Sequence, residues 1–187
     1  RHTYDVFGLN AARELSRDFA VNTDRPISES DIRTLNGIIL QGQPRAGIYK
    51  PYANEIQGNA SHRTALPSDT PGAMEEFCTW MNQLSRKGYQ TLDSIIKAAA
   101  VHAWIAHIHP FDDGNGRIAR LLANMVLARE FMPPLILRNK NDRARYIDAL
   151  AFSDEGFLTC TNNTCGIIYK DMLDQSPEWR YYGADDN

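Results

Sequence analysis

Apolar residues recur at intervals of three and four along most of the chain, which is the spacing that gives a helix one buried face. Ile32, Leu35 and Ile39 are one example. On this pattern we predict helices over residues 11–20, 28–40, 70–87, 93–108, 117–131, 141–152 and 157–173. The sequence therefore predicts an all-α fold, a bundle of about six to eight helices.

Two of these helices carry recognisable end signals. Ser28 and Asp31 have the spacing of a capping box, in which each side chain accepts a hydrogen bond from the other residue's backbone. Gly42 follows the helix that they open. Pro71 lies at the start of a later helix, where its missing N–H costs nothing, and Gly88 follows that helix.

Residues 43–67 do not fit a helix. Prolines and glycines interrupt the segment at Pro44, Gly47, Pro51 and Gly58. Gly58 and Asn59 lie in the middle of residues 53–64, where a tight turn between two short strands would need them. We predict a small β-hairpin there, and an irregular surface loop is the alternative that the residues leave open.

The composition is that of one ordinary domain, since 187 residues at 43% hydrophobic can build a sizeable core. The net charge of −3, with scattered Lys and Arg, argues against a nucleic-acid partner. The most apolar stretch, 95–108, is too short to span a membrane. Cys78, Cys160 and Cys165 are an odd count without metal-type spacing, which suits reduced thiols and predicts a cytoplasmic protein.

The most unusual stretch reads His-Pro-Phe-Asp-Asp-Gly-Asn-Gly-Arg-Ile-Ala-Arg from His109 to Arg120. Pro110 disfavours the α region for the residue before it, so His109 should lie where the preceding helix ends. Its imidazole should then face solvent and not pack in the core. A free histidine titrates at about pH 6.5, so it is mostly neutral at cellular pH and can act as a base. Phe111 should turn inward and anchor the loop.

The second half of the stretch suits a phosphate. The Gly114-Asn115-Gly116 turn leads into a helix, whose N-terminal N–H groups and dipole favour an anion. Arg117 and Arg120 share a face of that helix and can reach further phosphate oxygens. Asp113 is negative and does not bind phosphate directly, but its oxygens suit a Mg²⁺ ion that bridges phosphate oxygens.

The same stretch resembles the motif of the Fic family, His-Pro-Phe-x-Asp/Glu-Gly-Asn-Gly-Arg-x-x-Arg, at every specified position. Arg143, Tyr146, Leu150 and the acidic residues after them resemble the region that follows the motif. The likeness thus runs from about residue 25 to about residue 175. It implies a single Fic domain over 1–187, with a β-hairpin flap at 43–67 and a tail at 176–187.

The resemblance implies a protein adenylyltransferase, which transfers AMP from Mg-ATP to a Ser, Thr or Tyr hydroxyl of a target protein and releases pyrophosphate. His109 would be the catalytic base and Asp113 the Mg²⁺ ligand. The ATP phosphates would bind Gly114, Asn115, Gly116, Arg117 and Arg120. Within the family, use of another nucleotide donor and removal of AMP are the alternatives.

In Fic proteins the flap aligns the target by adding the target's extended segment as a β-strand. Here the resemblance implies a protein substrate at the flap, with candidate docking residues Ile56, Gly58, Ser61 and His62. The preceding Gly47-Ile48-Tyr49-Lys50 is similar to the family's Gly-x-Tyr-Arg. Lys50 replaces the arginine, so the forked guanidinium geometry is lost.

Many Fic proteins also carry an inhibitory helix, Ser/Thr-x-x-x-Glu-Gly/Asn, whose Glu pairs with the second arginine of the motif. Thr3 and Gly8 fit its spacing, with Phe7 in place of the Glu. If this is a remnant, autoinhibition is lost; a chance match is the other interpretation. Any inhibition would then come from residues outside this sequence or from an antitoxin-like protein, and self-association is left open.

Two rival functions are weighed against this one. The first is a metal-dependent hydrolase built from His102, His107, His109, Asp112 and Asp113. His102 and His107 are five residues apart, about 140° around a helix, so they do not converge, and we interpret them as packing residues. The second is an inert Fic fold kept for protein interaction, against which the intact motif argues.

Overall fold

The computed structural model describes residues 2–56, 64–84 and 94–135. This part of the chain contains five α-helices: α1 (His2–Val21), α2 (Glu29–Ile39), α3 (Thr70–Met81), α4 (Ser94–Ile108) and α5 (Asn115–Arg129). The all-α prediction is confirmed there. The helices predicted over 141–152 and 157–173, and the tail at 176–187, lie outside the described residues.

The central helix pair is formed by α4 and α5, which make the most extensive helix–helix contact in the described chain. α1 packs against both α2 and α5, and α3 packs against α4. The segment 109–114, which carries the first half of the motif, connects the two central helices. None of the described helices combines the length and apolar character that crossing a membrane needs.

The core lies between these helices and is built from the apolar positions that the sequence pattern selects. Its largest fully buried side chains include Phe77, Phe111, Ile32, Leu35, Met74, Ile105, Ile118 and Leu122. Cys78 is also buried as a free thiol, and burial raises its pKa to about 12. Cys78 thus fills space in the core, while Cys160 and Cys165 lie outside the described residues.

The capping box at the start of α2 is present as predicted. Ser28 Oγ accepts from the Asp31 N–H at 3.2 Å, and Asp31 Oδ2 accepts from the Ser28 N–H at 2.9 Å. The helix ends at Ile39, before Gly42, which adopts a positive φ of 85°. Pro71 occupies the first turn of α3 as predicted, but that helix ends at Met81 and not at residue 87.

The prediction for α1 is wrong in length, because the helix begins at His2 and not at residue 11. Gly8 has a low intrinsic helix propensity and argues against a helix there. In the fold it lets α1 approach the end of α2, since a Cβ at Gly8 would lie 2.5 Å from the Ile38 carbonyl oxygen. This tertiary contact offsets the propensity.

Residues 43–56 cross the motif loop at one point. Tyr49 and Phe111 form an isolated antiparallel β-bridge, and the Lys50 N–H donates to Pro110 O at 2.8 Å. The rings of Tyr49 and Phe111 lie 5.6 Å apart, and the Tyr49 hydroxyl donates to Glu29 Oε2 at 2.7 Å. The segment before the predicted hairpin is thus held against the loop that carries His109.

Candidate active site

The backbone of His109 leaves the helical region where α4 ends. Its φ is +50°, a left-handed conformation that histidine adopts more readily than most residues. The prediction that Pro110 ends α4 at this point is confirmed. His109 Nδ1 lies 3.2 Å from Ala106 O. In the tautomer that donates this hydrogen bond, Nε2 is the unprotonated nitrogen, as a general base requires.

Phe111 is fully buried, as predicted, and Asn115 fixes its backbone from both sides. The Phe111 N–H donates to Asn115 Oδ1 at 2.9 Å, and Asn115 Nδ2 donates to Phe111 O at 2.6 Å. The side-chain amide of Asn115 is therefore occupied in closing the loop. A phosphate contact at this residue would come from its backbone N–H.

The second motif helix starts earlier than predicted, at Asn115 and not at Arg117. Gly114 is its N-cap, with a φ of +84°, and its carbonyl accepts the first helical hydrogen bond from the Ile118 N–H at 2.9 Å. Glycine is favoured here because the left-handed conformation strains other residues. As a result, Asn115 and Gly116 lie in the first helical turn, where backbone N–H groups have no acceptor within the helix.

The charged side chains of the motif gather around this turn. Arg117 Nη2 lies 3.2 Å from Asp113 Oδ2, and Asp113 Oδ1 accepts from the Gly114 N–H at 2.6 Å. Arg120 Nη1 lies 3.3 Å from where a Cβ of Gly116 would be. The absence of a side chain at Gly116 thus gives the Arg120 guanidinium room above the first turn of α5.

His102 on α4 is buried near the Arg120 guanidinium. Burial, with smaller contributions from the charges of Arg120 and His107, lowers the pKa of His102 to about 3. His102 is therefore neutral at cellular pH and adds no positive charge to the site. The interpretation of His102 and His107 as buried packing residues of α4 agrees with their exposures of 5% and 7%.

Asn36 is a site residue that the sequence analysis missed. It is fully buried on α2, its Nδ2 donates to Asp113 O at 3.0 Å, and its Oδ1 accepts from the Gly47 N–H at 2.9 Å. A Cβ at Gly114 would lie 2.9 Å from Asn36 Nδ2. Asn36 thus fixes the backbone of the loop at Asp113, the residue that carries the proposed metal-binding carboxylate. The sequence signal that could have identified Asn36 is an amide on the buried face of α2, next to Leu35.

Lys50 and Asn54 were also missed as site residues. Lys50 Nζ donates to Asn54 Oδ1 at 2.8 Å, to Thr64 Oγ1 at 3.1 Å and to Ile108 O at 3.1 Å. Asn54 Nδ2 in turn donates to the carbonyls of His109 and Phe111. The forked geometry of an arginine is absent at position 50, but three separate acceptors satisfy the ammonium group instead.

Residues 26–127, which include every contact of the loop with α2 and with Lys50, match the model of the Fic/DOC family. This chain belongs to the Fic/DOC family. The match covers more than half of the chain and contains the whole His109–Arg120 motif.

Other Fic proteins resemble this one in sequence and structure. The chain is 30% identical over 161 residues to the Protein adenylyltransferase Fic of Aedes aegypti, covering 81% of this chain and 30% of that protein. The matched part of this chain covers between 17% and 34% of the length of these curated relatives. A Fic domain-containing signaling protein from Bacteroides thetaiotaomicron superposes with a TM-score of 0.78 at 30% identity, covering 91% of this chain and 66% of that one.

A more distant Fic structure shares the fold. IbpAFic2, solved while covalently tethered to Cdc42, superposes with a TM-score of 0.65 at 17% identity, covering 89% of this chain and 52% of that one. The all-helical Fic fold predicted from the motif is confirmed by these structures and by the described helices.

Residues 57–63, the middle of the predicted Fic flap, lie outside the described residues. Thr64 Oγ1 donates to Asn54 O at 2.8 Å, so the two arms meet where the predicted hairpin begins. Ile56 is half-buried. Gly58, Ser61 and His62, the other candidate docking residues, lie outside the described residues. The docking role of all four stays a prediction.

The proposed remnant of the Fic inhibitory helix lies in the first part of α1. Phe7 is 69% exposed and Gly8 is buried against α2. The contact of Gly8 with the Ile38 carbonyl gives that glycine a packing role of its own. Thr3 belongs to the same helix, but its side chain is not described, and the inhibitory interpretation stays a prediction.

The residues of the hydrolase alternative lie in different surroundings. His102 and His107 are buried within α4, whereas Asp112 is exposed and its carboxylate lies 3.3 Å from Arg45 Nη1. Across residues 2–56, 64–84 and 94–135, no three His, Cys, Asp or Glu side chains are grouped so that they could hold a metal ion.

Proposed function

We propose that this Fic domain is a protein adenylyltransferase that transfers AMP from Mg-ATP to a Ser, Thr or Tyr hydroxyl of a target protein. The proposal rests on one observation: residues 109–114 join the end of α4, where the candidate base His109 lies, directly to the N-terminus of α5, the candidate anion site. The curated relatives named as protein adenylyltransferases support the same reaction class.

The start of α5 is the proposed site for the ATP phosphates. The backbone N–H groups of Asn115 and Gly116 and the helix dipole favour negative charge there. Arg117 and Arg120 add two guanidinium groups near the same turn. Phosphoryl transfer depends mainly on positioning and electrostatic stabilisation, and these groups supply both.

Asp113 is the proposed Mg²⁺ ligand. Its side chain is 57% exposed, and Arg117 neutralises one carboxylate oxygen. Magnesium in nucleotide sites is commonly held by one or two carboxylates together with substrate phosphates, so a single carboxylate beside a phosphate site fits it. Bound Mg²⁺ would supply positive charge to the phosphate oxygens, and Asp113 would fix where that charge lies.

His109 acts as the base in the proposed reaction. The target O–H bond breaks, and its proton moves to His109 Nε2. The hydroxyl oxygen forms a bond to the α-phosphorus of ATP, while the bond from that phosphorus to the pyrophosphate oxygen breaks. The hydrogen bond between Nδ1 and Ala106 O keeps the ring in the tautomer that can accept the proton.

The proposed substrate is a protein segment presented along the flap, residues 43–67. The distant relative IbpAFic2 was solved covalently tethered to another protein, Cdc42, which supports a protein as the partner of the Fic fold. In this chain the base of the flap contacts the His109 loop through Asn54. A target strand that pairs with the flap backbone would therefore bring its hydroxyl close to the base.

The test is His109→Ala, assayed for AMP transfer and for ATP binding. Loss of a general base should lower transfer by about 10²–10⁴-fold. ATP affinity should remain, because the phosphate site lies on α5. Transfer near the wild-type rate, or loss of ATP binding in a folded variant, would remove His109 from the base role.

A further inference from the structure

One short segment holds the whole backbone turn around His109. Every carbonyl from residue 108 to residue 111 accepts a hydrogen bond from Lys50 or Asn54. The bonds are Lys50 Nζ to Ile108 O (3.1 Å), Asn54 Nδ2 to His109 O (3.1 Å), Lys50 N to Pro110 O (2.8 Å) and Asn54 Nδ2 to Phe111 O (2.8 Å). We call Lys50 and Asn54 the carbonyl clamp.

Lys50 is unusual because it is only 3% exposed and its ammonium contacts three neutral acceptors. A buried ammonium is costly unless its donors are satisfied, and here each of the three N–H groups has an acceptor. Two of these acceptors, Asn54 Oδ1 and Thr64 Oγ1, belong to the two arms of the flap. The third, Ile108 O, lies at the end of α4, where a cation is favoured.

The clamp acts on the residue whose backbone is strained. The φ of His109 is +50°, a left-handed conformation that is unfavourable for a non-glycine residue, so surrounding contacts must maintain it. The carbonyls on both sides of its Cα are fixed by Asn54 and Lys50. Because the orientation of these peptide groups sets the direction of the Cα–Cβ bond, the clamp determines where the imidazole points.

We propose that Lys50 and Asn54 are positioning residues, which hold the His109 backbone so that its imidazole faces the reacting hydroxyl. Neither residue acts on the substrate directly in this proposal; both act through His109. The inference rests on the proposed function, because a misplaced His109 imidazole lowers the rate only of a reaction that uses His109 as its base. It also assigns a role to the lysine that stands where the family motif has arginine.

The experiment compares Asn54→Leu with Asn82→Leu in the full chain. Asn82 also makes two hydrogen bonds to the backbone, although it pairs with one residue: Asn82 Oδ1 accepts from the Ile27 N–H and Asn82 Nδ2 donates to Ile27 O, each at 2.8 Å. It lies at the end of α3 and makes no contact with the motif loop that the structure records. Both variants lose two hydrogen bonds to the backbone, but only Asn54→Leu releases the His109 loop. Asn54→Leu also removes Asn54 Oδ1 as an acceptor for Lys50 Nζ, which is part of the clamp.

The measurements are kcat and KM for transfer, ATP affinity by calorimetry, and amide hydrogen exchange over residues 105–113. Asn54→Leu should lower kcat by about tenfold or more, since a 1 Å misplacement can cost about 10²-fold in rate. KM and ATP affinity should change less than about twofold. Exchange over 105–113 should become faster, and Asn82→Leu should match the wild type in kcat and in this exchange.

A second pair keeps the proposal testable if Asn54→Leu does not fold. Lys50→Met removes the ammonium and should lower kcat. Lys50→Arg keeps a cation with several donors, so its kcat should fall less. Equal kcat in Lys50→Met and the wild type would overturn the proposal. So would a loss in Asn54→Leu that Asn82→Leu reproduces, or unchanged exchange over 105–113 in Asn54→Leu.

The exchange measurement separates this inference from the proposed function. If the wild type transfers no nucleotide, the proposed function fails. Faster exchange in Asn54→Leu than in Asn82→Leu would then still support the clamp on the His109 backbone, and equal exchange would overturn it.

Discussion

Asp112 and Asp113 are neighbours in the motif loop, but they meet different surroundings. Asp113 lies beside Gly114 and Arg117 at the start of α5, whereas Asp112 makes an exposed 3.3 Å pair with Arg45. Asp113→Ala should abolish Mg²⁺-dependent transfer and weaken ATP binding only when Mg²⁺ is present. Without Mg²⁺, ATP affinity should stay equal or rise, because a negative charge has left the phosphate site.

Asp112→Ala is the matched control and should be mild, since an exposed ion pair contributes about 0–1 kcal/mol. Calorimetry measures the ATP affinity of both variants with and without Mg²⁺. Equal losses in the two variants would mean that Asp113 is not the separate metal ligand.

The burial of Lys50 predicts a pH dependence of stability. Burial lowers the pKa of Lys50 from 10.5 to about 8. Between these values the unfolded chain binds more protons at this position than the folded chain, so the free energy of unfolding rises with pH. Below about pH 8 the desolvation cost of the charged form is fully present. The wild type should therefore gain stability relative to Lys50→Met from about pH 8 to about 10.5.

Denaturant unfolding of both proteins across this pH range measures the difference. A difference that stays constant, or that shrinks as the pH rises, would contradict the assignment of a lowered pKa to Lys50.

Single residues also show where sequence reasoning ends. The motif predicts His109, Phe111 and Asp113 in their observed places because the pattern is local. Asn36 and Asp113 are joined across 77 positions, and Asn54 and His109 across 55. No local pattern reports which distant carbonyl an asparagine will bind.

At the scale of elements, the crossing of α1 and α2 depends on Gly8. Gly8→Ala should destabilise the protein by about 1–3 kcal/mol, because its Cβ would lie 2.5 Å from Ile38 O and a helix backbone must move. Gly72→Ala is the control, since a Cβ at Gly72 meets nothing within 4 Å. That variant should gain about 0.5–1 kcal/mol from improved helix propensity.

Denaturant midpoints of these two variants and of the wild type measure the effect. Equal stability of Gly8→Ala and Gly72→Ala would show that α1 does not pack on α2 at this glycine.

Helix ends were predictable where side-chain chemistry marks them. The Ser28–Asp31 capping box and Pro71 act within a few residues, and both were found as predicted. The starts of α1 and α5 were missed because glycines lie there. The low helix propensity of Gly8 is offset by packing on α2. Gly116 lies inside α5, where it leaves space for the Arg120 guanidinium. The contact of Gly8 is with another helix, and the contact of Gly116 is with the next turn of its own helix.

At the scale of the whole molecule, separate stretches of the chain meet at the His109 loop. α2 contributes Asn36, the base of the flap contributes Lys50 and Asn54, and α5 supplies the helix N-terminus. The sequence predicts the bundle, the motif loop and the flap as parts. Their mutual arrangement depends on hydrogen bonds between parts, and the Fic structures agree with it at the level of the fold.

In the proposed reaction this assembly transfers AMP with His109 as the base. The most direct measurement is intact-mass analysis of the wild type and His109→Ala after incubation with Mg²⁺ and each of ATP, GTP, CTP and UTP, because self-modification reports the transferred group. We expect addition of AMP to the wild type from ATP and no addition to His109→Ala. No addition from any nucleotide, addition of a phosphoryl group alone, or equal modification of His109→Ala would contradict it.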